Sequence, residues 1–231
     1  MSASSSVEAV DANTISSETI KIGVIGVGWL GGTVGSLWVR AGYKVKFSSL
    51  HPEALQTMAN RLGDNATVGT PAEAAKFADV ILMAVPYSAI PQVAKDFAAD
   101  LDGKIILDAT NARADTSALT DETIANGVGA TSAKYFAGAH LVRAFSAVDA
   151  TAIEASFNRP TPHKLGVPLA SDDGIAMQAA IELVHDAGSI PVVVGSLKQG
   201  RVFERGGDGF RANTTAEQLR SRLGLPASAI K

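Results

Sequence analysis

The chain has 231 residues, enough for one sizeable core, and its 46% hydrophobic and 19% charged content excludes a disordered protein. A formal net charge of -3 leaves no broad basic field, so no nucleic-acid partner is expected. Cysteine is absent, which removes disulfides, thiol catalysis and cysteine metal sites.

Residues Met1 to Thr19 are rich in Ser, Ala, Glu and Asp and read as a disordered extension, without the basic start and apolar stretch of a secretory signal. No apolar run has the length to cross a bilayer, so a cytoplasmic protein with no membrane contact is expected. Strand and helix signals then alternate. Ile20–Ile25 reads as a strand and Leu30–Ala41 as a helix ended by Gly42. Lys44–Ser48 is a second strand, followed by a helix from Pro52 to about Leu62. Thr67–Gly69 is a short third strand and Pro71–Phe77 a short helix. Asp79–Val85 and Lys104–Asp108 are near-continuous apolar runs, as buried parallel strands require, with Ser88–Ala99 helical between them. Thr116–Phe136 reads as helix broken near Gly127 and Gly129, and Leu141–Phe145 as a sixth strand. Further on, Lys164–Ala170 reads as strand, Gly174–Ala187 as helix capped by Ser171 or Asp172, and Pro191–Val194 as strand. The alternation predicts an α/β chain: a Rossmann-type doubly wound parallel sheet over 20–146, with a small C-terminal α/β extension over 147–231.

The most informative segment is Gly26-Val27-Gly28-Trp29-Leu30-Gly31, a G-x-G-x-x-G turn that leaves a β-branched run and opens a helix. Gly26 permits the tight turn, Gly28 lets the backbone approach a pyrophosphate, and Gly31 lets helix and strand pack closely. The helix N-terminus adds free N–H groups and a partial positive charge. Strand two ends Ser48-Ser49-Leu50-His51 with no acid to bind ribose hydroxyls. Hydroxyls and an imidazole can instead donate to a 2′-phosphate, which favours NADP over NAD. Glu53, just past Pro52, reads as a helix-dipole residue.

Taken with Ala84-Val85-Pro86, with Asp108-Ala109-Thr110-Asn111 and with Leu141–Ser146, these motifs resemble the NADPH-dependent deazaflavin (coenzyme F-420) reductase family. That family is itself similar to the cytosolic domain of membrane metalloreductases. The resemblance implies NADP as cofactor and a deazaflavin or a flavin as acceptor. It implies pyrophosphate at Gly26–Gly31, the 2′-phosphate at Ser48, Ser49 and His51, and the adenosine and ribose side at Ala84, Val85 and Pro86. It places Thr110 and Asn111 at the nicotinamide, with Phe145 and Ser146 where nicotinamide meets the acceptor ring, and it implies a homodimer. Two departures fall on the acceptor side: Ala112 stands where the family has proline, and Ser146 where it has asparagine.

Hydride transfer between two rings needs placement rather than an enzymic nucleophile, so no catalytic side chain is assigned. His51, His140, His163 and His185 are scattered, and no metal site is expected. His140 reads as a capping or packing residue, and His163 reads as a surface-loop residue, in a loop long enough to reach an acceptor pocket. The basic run Lys198, Arg201, Arg205 and Arg211 reads as a solvated segment or as an attractor of an anionic acceptor tail. Apolar Ile190, Val192, Val194, Leu197, Val202 and Phe203 suggest a docking surface. Two other functions stay open at this stage: a dehydrogenase of small hydroxy or amino acids, and a non-catalytic NADP(H)-binding regulatory module. Few residues remain after Phe145 for the long helical domain that such dehydrogenases carry.

Overall fold

Residue alternation along the strands sends side chains to two separate cores, one on each face of a single sheet. Ile22, Val24, Val80, Leu82, Leu107 and Val142 feed one core, while Ile25, Ile81, Met83, Ile106 and Leu141 feed the other. The computed structural model describes residues 20–112 and 120–227; the expected extension 1–19 and the first residues of the helix expected from Thr116 lie outside them.

Six strands run parallel: β1 (Lys21–Ile25), β2 (Lys44–Ser48), β3 (Ala66–Gly69), β4 (Val80–Met83), β5 (Ile105–Asp108) and β6 (His140–Arg143). Their spatial order, β3-β2-β1-β4-β5-β6, reverses beside β1, and the crevice at that switch is where doubly wound sheets bind ligands. The sheet continues through β7 (Gly166–Ala170), antiparallel to β6, and β8 (Ile190–Gly195), parallel to β7, to make eight strands. The C-terminal extension therefore lengthens the same sheet.

Helix α1 (Trp29–Arg40) packs Val34, Leu37 and Trp38 into the first core. The Trp38 ring is fully buried, and its Nε1 donates to Leu183 O at 2.8 Å. Burying such a side chain contributes on the order of 3 kcal/mol, and the indole N–H is satisfied at the same time. Leu183 belongs to α9 (Gly174–Asp186), so one residue ties the glycine-loop helix to the C-terminal part. The expected helix from Pro52 begins as a 3-10 turn, Pro52–Leu55, before α2 (Gln56–Leu62). α3 (Pro71–Phe77) starts with a capping box in which Thr70 and Glu73 exchange hydrogen bonds, and those bonds hold the Glu73 carboxyl below its usual range. The expected helix Ser88–Ala99 is divided into a 3-10 turn (Tyr87–Ala89), α4 (Ile90–Asp96) and α5 (Ala98–Leu101) by the non-helical Phe97. The predicted break falls at Gly127, φ 88°, between α6 (Asp121–Asn126) and α7 (Val128–Tyr135); Gly129 lies inside α7.

Three elements carried no expectation: α8 (Ala150–Phe157), a 3-10 turn at Gln199–Phe203, and α10 (Ala216–Arg222). α10 has a capping box, Thr215 with Gln218, that is legible in sequence. The cap of α9 is corrected to Asp173, whose carboxylate accepts from Ala176 N, because Ser171 instead accepts from Asp173 N. His140 Nδ1 lies 2.6 Å from the other Asp173 oxygen, and this bond holds the Asp173 carboxyl below its ordinary value.

Candidate functional site

The three motif glycines meet three different surroundings. Gly26, at φ 101°, lies so near the next strand's exit that a Cβ would come 2.5 Å from Ala84 O. A Cβ on Gly31 would come 2.2 Å from Gly26 O, so this glycine lets helix and loop touch. A Cβ on Gly28 would meet nothing within 4 Å. The protein's own packing does not require glycine there, and the space is what a bisphosphate approaching the backbone needs. Gly28 is also the N-cap of α1, without a side-chain cap and without an acid in the first turn, so the helix's leading N–H groups remain available to an anion.

Beside this loop opens a cleft of about 370 Å³ lined by Gly26, Val27, Ser48, Ser49, Val85 and Pro86. Six expected residues therefore converge on one cavity. The rest of its lining came without expectation: Ala89, Val93 and Phe97 recur at four-residue spacing after Pro86, and Asp96 and the exposed Leu50 also line the cleft. Leu30 and Ala84 are half-buried and pack on the first core. Gly28 and Trp29 open instead on a groove of about 340 Å³ along α1, where the Trp29 indole stays 73% exposed.

The 2′-phosphate expectation changes at one position. Ser48 is buried and its Oγ donates to Val24 O at 2.8 Å, so its single hydroxyl proton is committed to the sheet. Ser49 Oγ accepts from His51 N at 3.0 Å and keeps its proton free. The exposed His51 ring lies 3.6 Å from Glu53 and outside the cleft wall.

At the carboxyl ends of β5 and β6 the expected residues are strongly bonded. Asp108 Oδ1 accepts from Thr110 N at 2.9 Å and Thr110 Oγ1 at 2.6 Å, and Oδ2 lies 2.9 Å from Arg143 Nη1 in a fully buried ion pair. Sheet register sets Asp108 and Arg143 side by side. The pair underlies the strand-five loop from within the sheet, and a buried pair of this kind costs several kcal/mol if one partner is removed. Tyr87 stands close by, its phenol pushed above the usual range by burial. Asn111 Nδ2 donates to Ser146 O at 2.6 Å, which joins the two strand ends. Asn111 Oδ1 and Ser146 Oγ are buried atoms with no hydrogen-bond partner among the described residues, two polar atoms at the place expected for the nicotinamide. Phe145 is corrected: at φ 60° its ring turns into the first core, fully buried and edge-on to Trp38 at 5.8 Å, and does not reach a nicotinamide.

The basic run is solvent-exposed, as expected, and three of its four residues also make contacts within the chain. Arg201 donates to Ile124 O and Ala125 O at the end of α6, Arg205 lies over the Phe210 ring at 4.9 Å, and Arg211 makes a two-bond pair with Asp149. Val192, Val194, Leu197 and Phe203, expected to dock a partner, are buried within the chain; Val193 and Val202 are the exposed ones. Among the described residues there is no group of three or more potential metal ligands, and no helix is long and apolar enough to cross a membrane.

A parallel sheet with an order reversal, a glycine turn feeding an uncapped helix and a cleft at the switch define a dinucleotide-binding Rossmann domain. Residues 21–112 match the family described as NADP oxidoreductase coenzyme F420-dependent, so the resemblance read from the glycine loop and the strand-five motif holds over that stretch. The match ends before the strand-six motif. No curated protein sequence matches the chain. Among solved structures, a hypothetical protein of Sinorhizobium meliloti has a TM-score of 0.75 at 22% identity, covering 85% of this chain and 95% of that one. A candidate F420-dependent NADP-reductase from Arthrobacter sp. FB24 has a TM-score of 0.67 at 18% identity, covering 79% and 87%. A glycerol-3-phosphate dehydrogenase from Coxiella burnetii has a TM-score of 0.57 at 21% identity, over 77% of this chain but 54% of its own. At these identities the three show a shared fold.

Proposed function

We propose that this protein transfers hydride between NADP(H) and a deazaflavin or flavin ring. The observation that carries the reading is Gly28: of the three motif glycines it alone faces open space, in front of an uncapped helix N-terminus. The matched domain over 21–112 supports NADP as the dinucleotide.

When bound, NADPH supplies the hydride with its electron pair, and a proton from solvent completes the reduced acceptor. The chain's own residues place the reactants. The loop amides from Gly28 onward hold the pyrophosphate, and Ser49 and His51 donate to the 2′-phosphate. Val85, Pro86 and Val93 enclose the adenine side. Asn111 and Ser146, joined across the two strand ends, border the carboxamide and ribose end, steadied by the Asp108–Arg143 pair below. In this reading residues 20–146 bind the dinucleotide, and residues 147–231 shape the acceptor side and the contact of a homodimer.

The test is loss of reduced-nicotinamide absorbance on offering deazaflavin, FMN, FAD, riboflavin and small carbonyl compounds in turn. Turnover with the tricyclic rings alone is the expected outcome. Turnover with carbonyls alone would identify a small-substrate dehydrogenase. Tight NADPH binding with no turnover would identify a regulatory module. Light scattering checks the dimer.

A further inference from the structure

Among the described residues three non-glycine residues have positive φ: Phe145 at 60°, Arg211 at 53° and Asn213 at 48°. Such conformations are costly for side-chain-bearing residues and persist only where surrounding bonds enforce them. All three meet at one place. The loop after β6, Phe145 to Asp149, is held from one side by Asn111, which donates to Ser146 O. From the other side it is held by Arg211 and Asn213, more than sixty residues later in the chain. Arg211 N donates to Ala147 O at 2.8 Å. The Arg211 Nε and Nη2 donate to the two Asp149 oxygens at 2.7 and 2.9 Å. Asn213 accepts from Asp149 N at 3.0 Å and donates to Asp149 Oδ2 at 2.7 Å. Neither Asp149 nor Arg211 is fully buried. An exposed pair gives little stability, so five bonds and two left-handed residues at a surface point to a geometric purpose.

We infer that Arg211 and Asn213, acting through Asp149, are positioning residues that fix the backbone of Ser146–Val148 as one wall of the acceptor site. The inference rests on the proposed hydride transfer, since Ser146 lies where nicotinamide and acceptor meet in that reading. Arg211 and Asn213 touch neither reactant. Their effect passes through the loop, and a displacement of about 1 Å in a near-attack geometry costs up to about a hundredfold in rate.

The experiment compares wild type with Arg211→Gly and Asp149→Asn. Glycine keeps the left-handed backbone and the N–H bond to Ala147 while deleting the guanidinium, so it separates geometry from folding. Amide exchange of Ser146–Val148 in the nucleotide-free protein is expected to speed up in both variants. The kcat/KM for the reduced tricyclic acceptor is expected to fall at least tenfold, with the Kd for NADPH unchanged and the melting temperature of Arg211→Gly not lowered. Arg211→Lys, which loses the fork but keeps the charge, is expected to restore little. Unaltered exchange overturns the clasp whatever the kinetics. Unaltered kcat/KM in an active background overturns its functional role. A parallel fall of NADPH affinity, turnover and melting temperature shows a structural tie only and overturns it too. A wild type inactive with every tricyclic ring refutes instead the function on which the inference rests.

Discussion

The two ends of the crevice are built by opposite means. Beside the glycine turn, the cleft is bounded by stretches around Ile25–Val27, Ser48–Leu50 and Val85–Phe97, at or just beyond the carboxyl ends of parallel strands. At the strand-six end, position is set by buried charge, side-chain-to-backbone bonds and left-handed residues brought from distant parts of the chain. Local motif suffices where a generic nucleotide must lie against backbone. In the proposed reading, tertiary bonding takes over where two rings must be held in register.

That contrast can be broken most forcefully from below the strand-five loop. Arg143→Met leaves Asp108 buried without its countercharge and is expected to cost about 3–5 kcal/mol, read by denaturant unfolding. Next comes a contrast inside one motif. Gly31→Ala drives a Cβ against Gly26 O and is expected to cost about 3 kcal/mol of stability. Gly28→Val, with open space before it, is expected to leave unfolding nearly unchanged while raising the Kd for NADPH about a hundredfold, close to 2.7 kcal/mol. If Gly28→Val unfolds the protein or binds NADPH normally, the glycine turn is not the open backbone cradle described above. Ser48→Ala deletes a buried hydroxyl bond and is expected to cost about 1 kcal/mol of stability with little change in the preference for NADPH over NADH. His51→Asp is expected to reverse that preference, measured as the ratio of the two affinities.

The smallest effect is one of acidity. The Arg211 guanidinium holds the Asp149 carboxyl below its ordinary value. A depressed carboxyl contributes stability that is fully present above the unfolded-state value and is lost as pH falls through the folded-state one. The gap in melting temperature between wild type and Asp149→Asn is therefore expected to be constant near neutrality and to close below about pH 4. A gap that persists in strong acid would detach the pair from the loop's stability.

Most of the first six strands and the phosphate turn were legible because each is a local pattern: an apolar run, a glycine spacing, a proline at a helix start. Phe145 was misread because its motif position says nothing of its φ, and only the partner Trp38 shows that the ring points inward. The bond that Ser48 makes was hidden because its acceptor, Val24 O, lies across a strand pair. The role of Arg211 was hidden for the same reason at longer range: in sequence it is one of several basic residues between glycines, and Asp149 is its partner only after the sheet has formed. α8 and α10 escaped because helices this short carry weak periodicity, although the Thr215–Gln218 box was there to be read.

The placement of the two tryptophans has a practical consequence. Trp38 is sealed in the interior and Trp29 is solvated on the turn itself. Their emission bands are thus set apart by polarity, the first blue and the second red. A long-wavelength change on adding nucleotide, with the short-wavelength component steady, would follow occupancy without any label. Loss of the short-wavelength component would follow unfolding in the same cuvette.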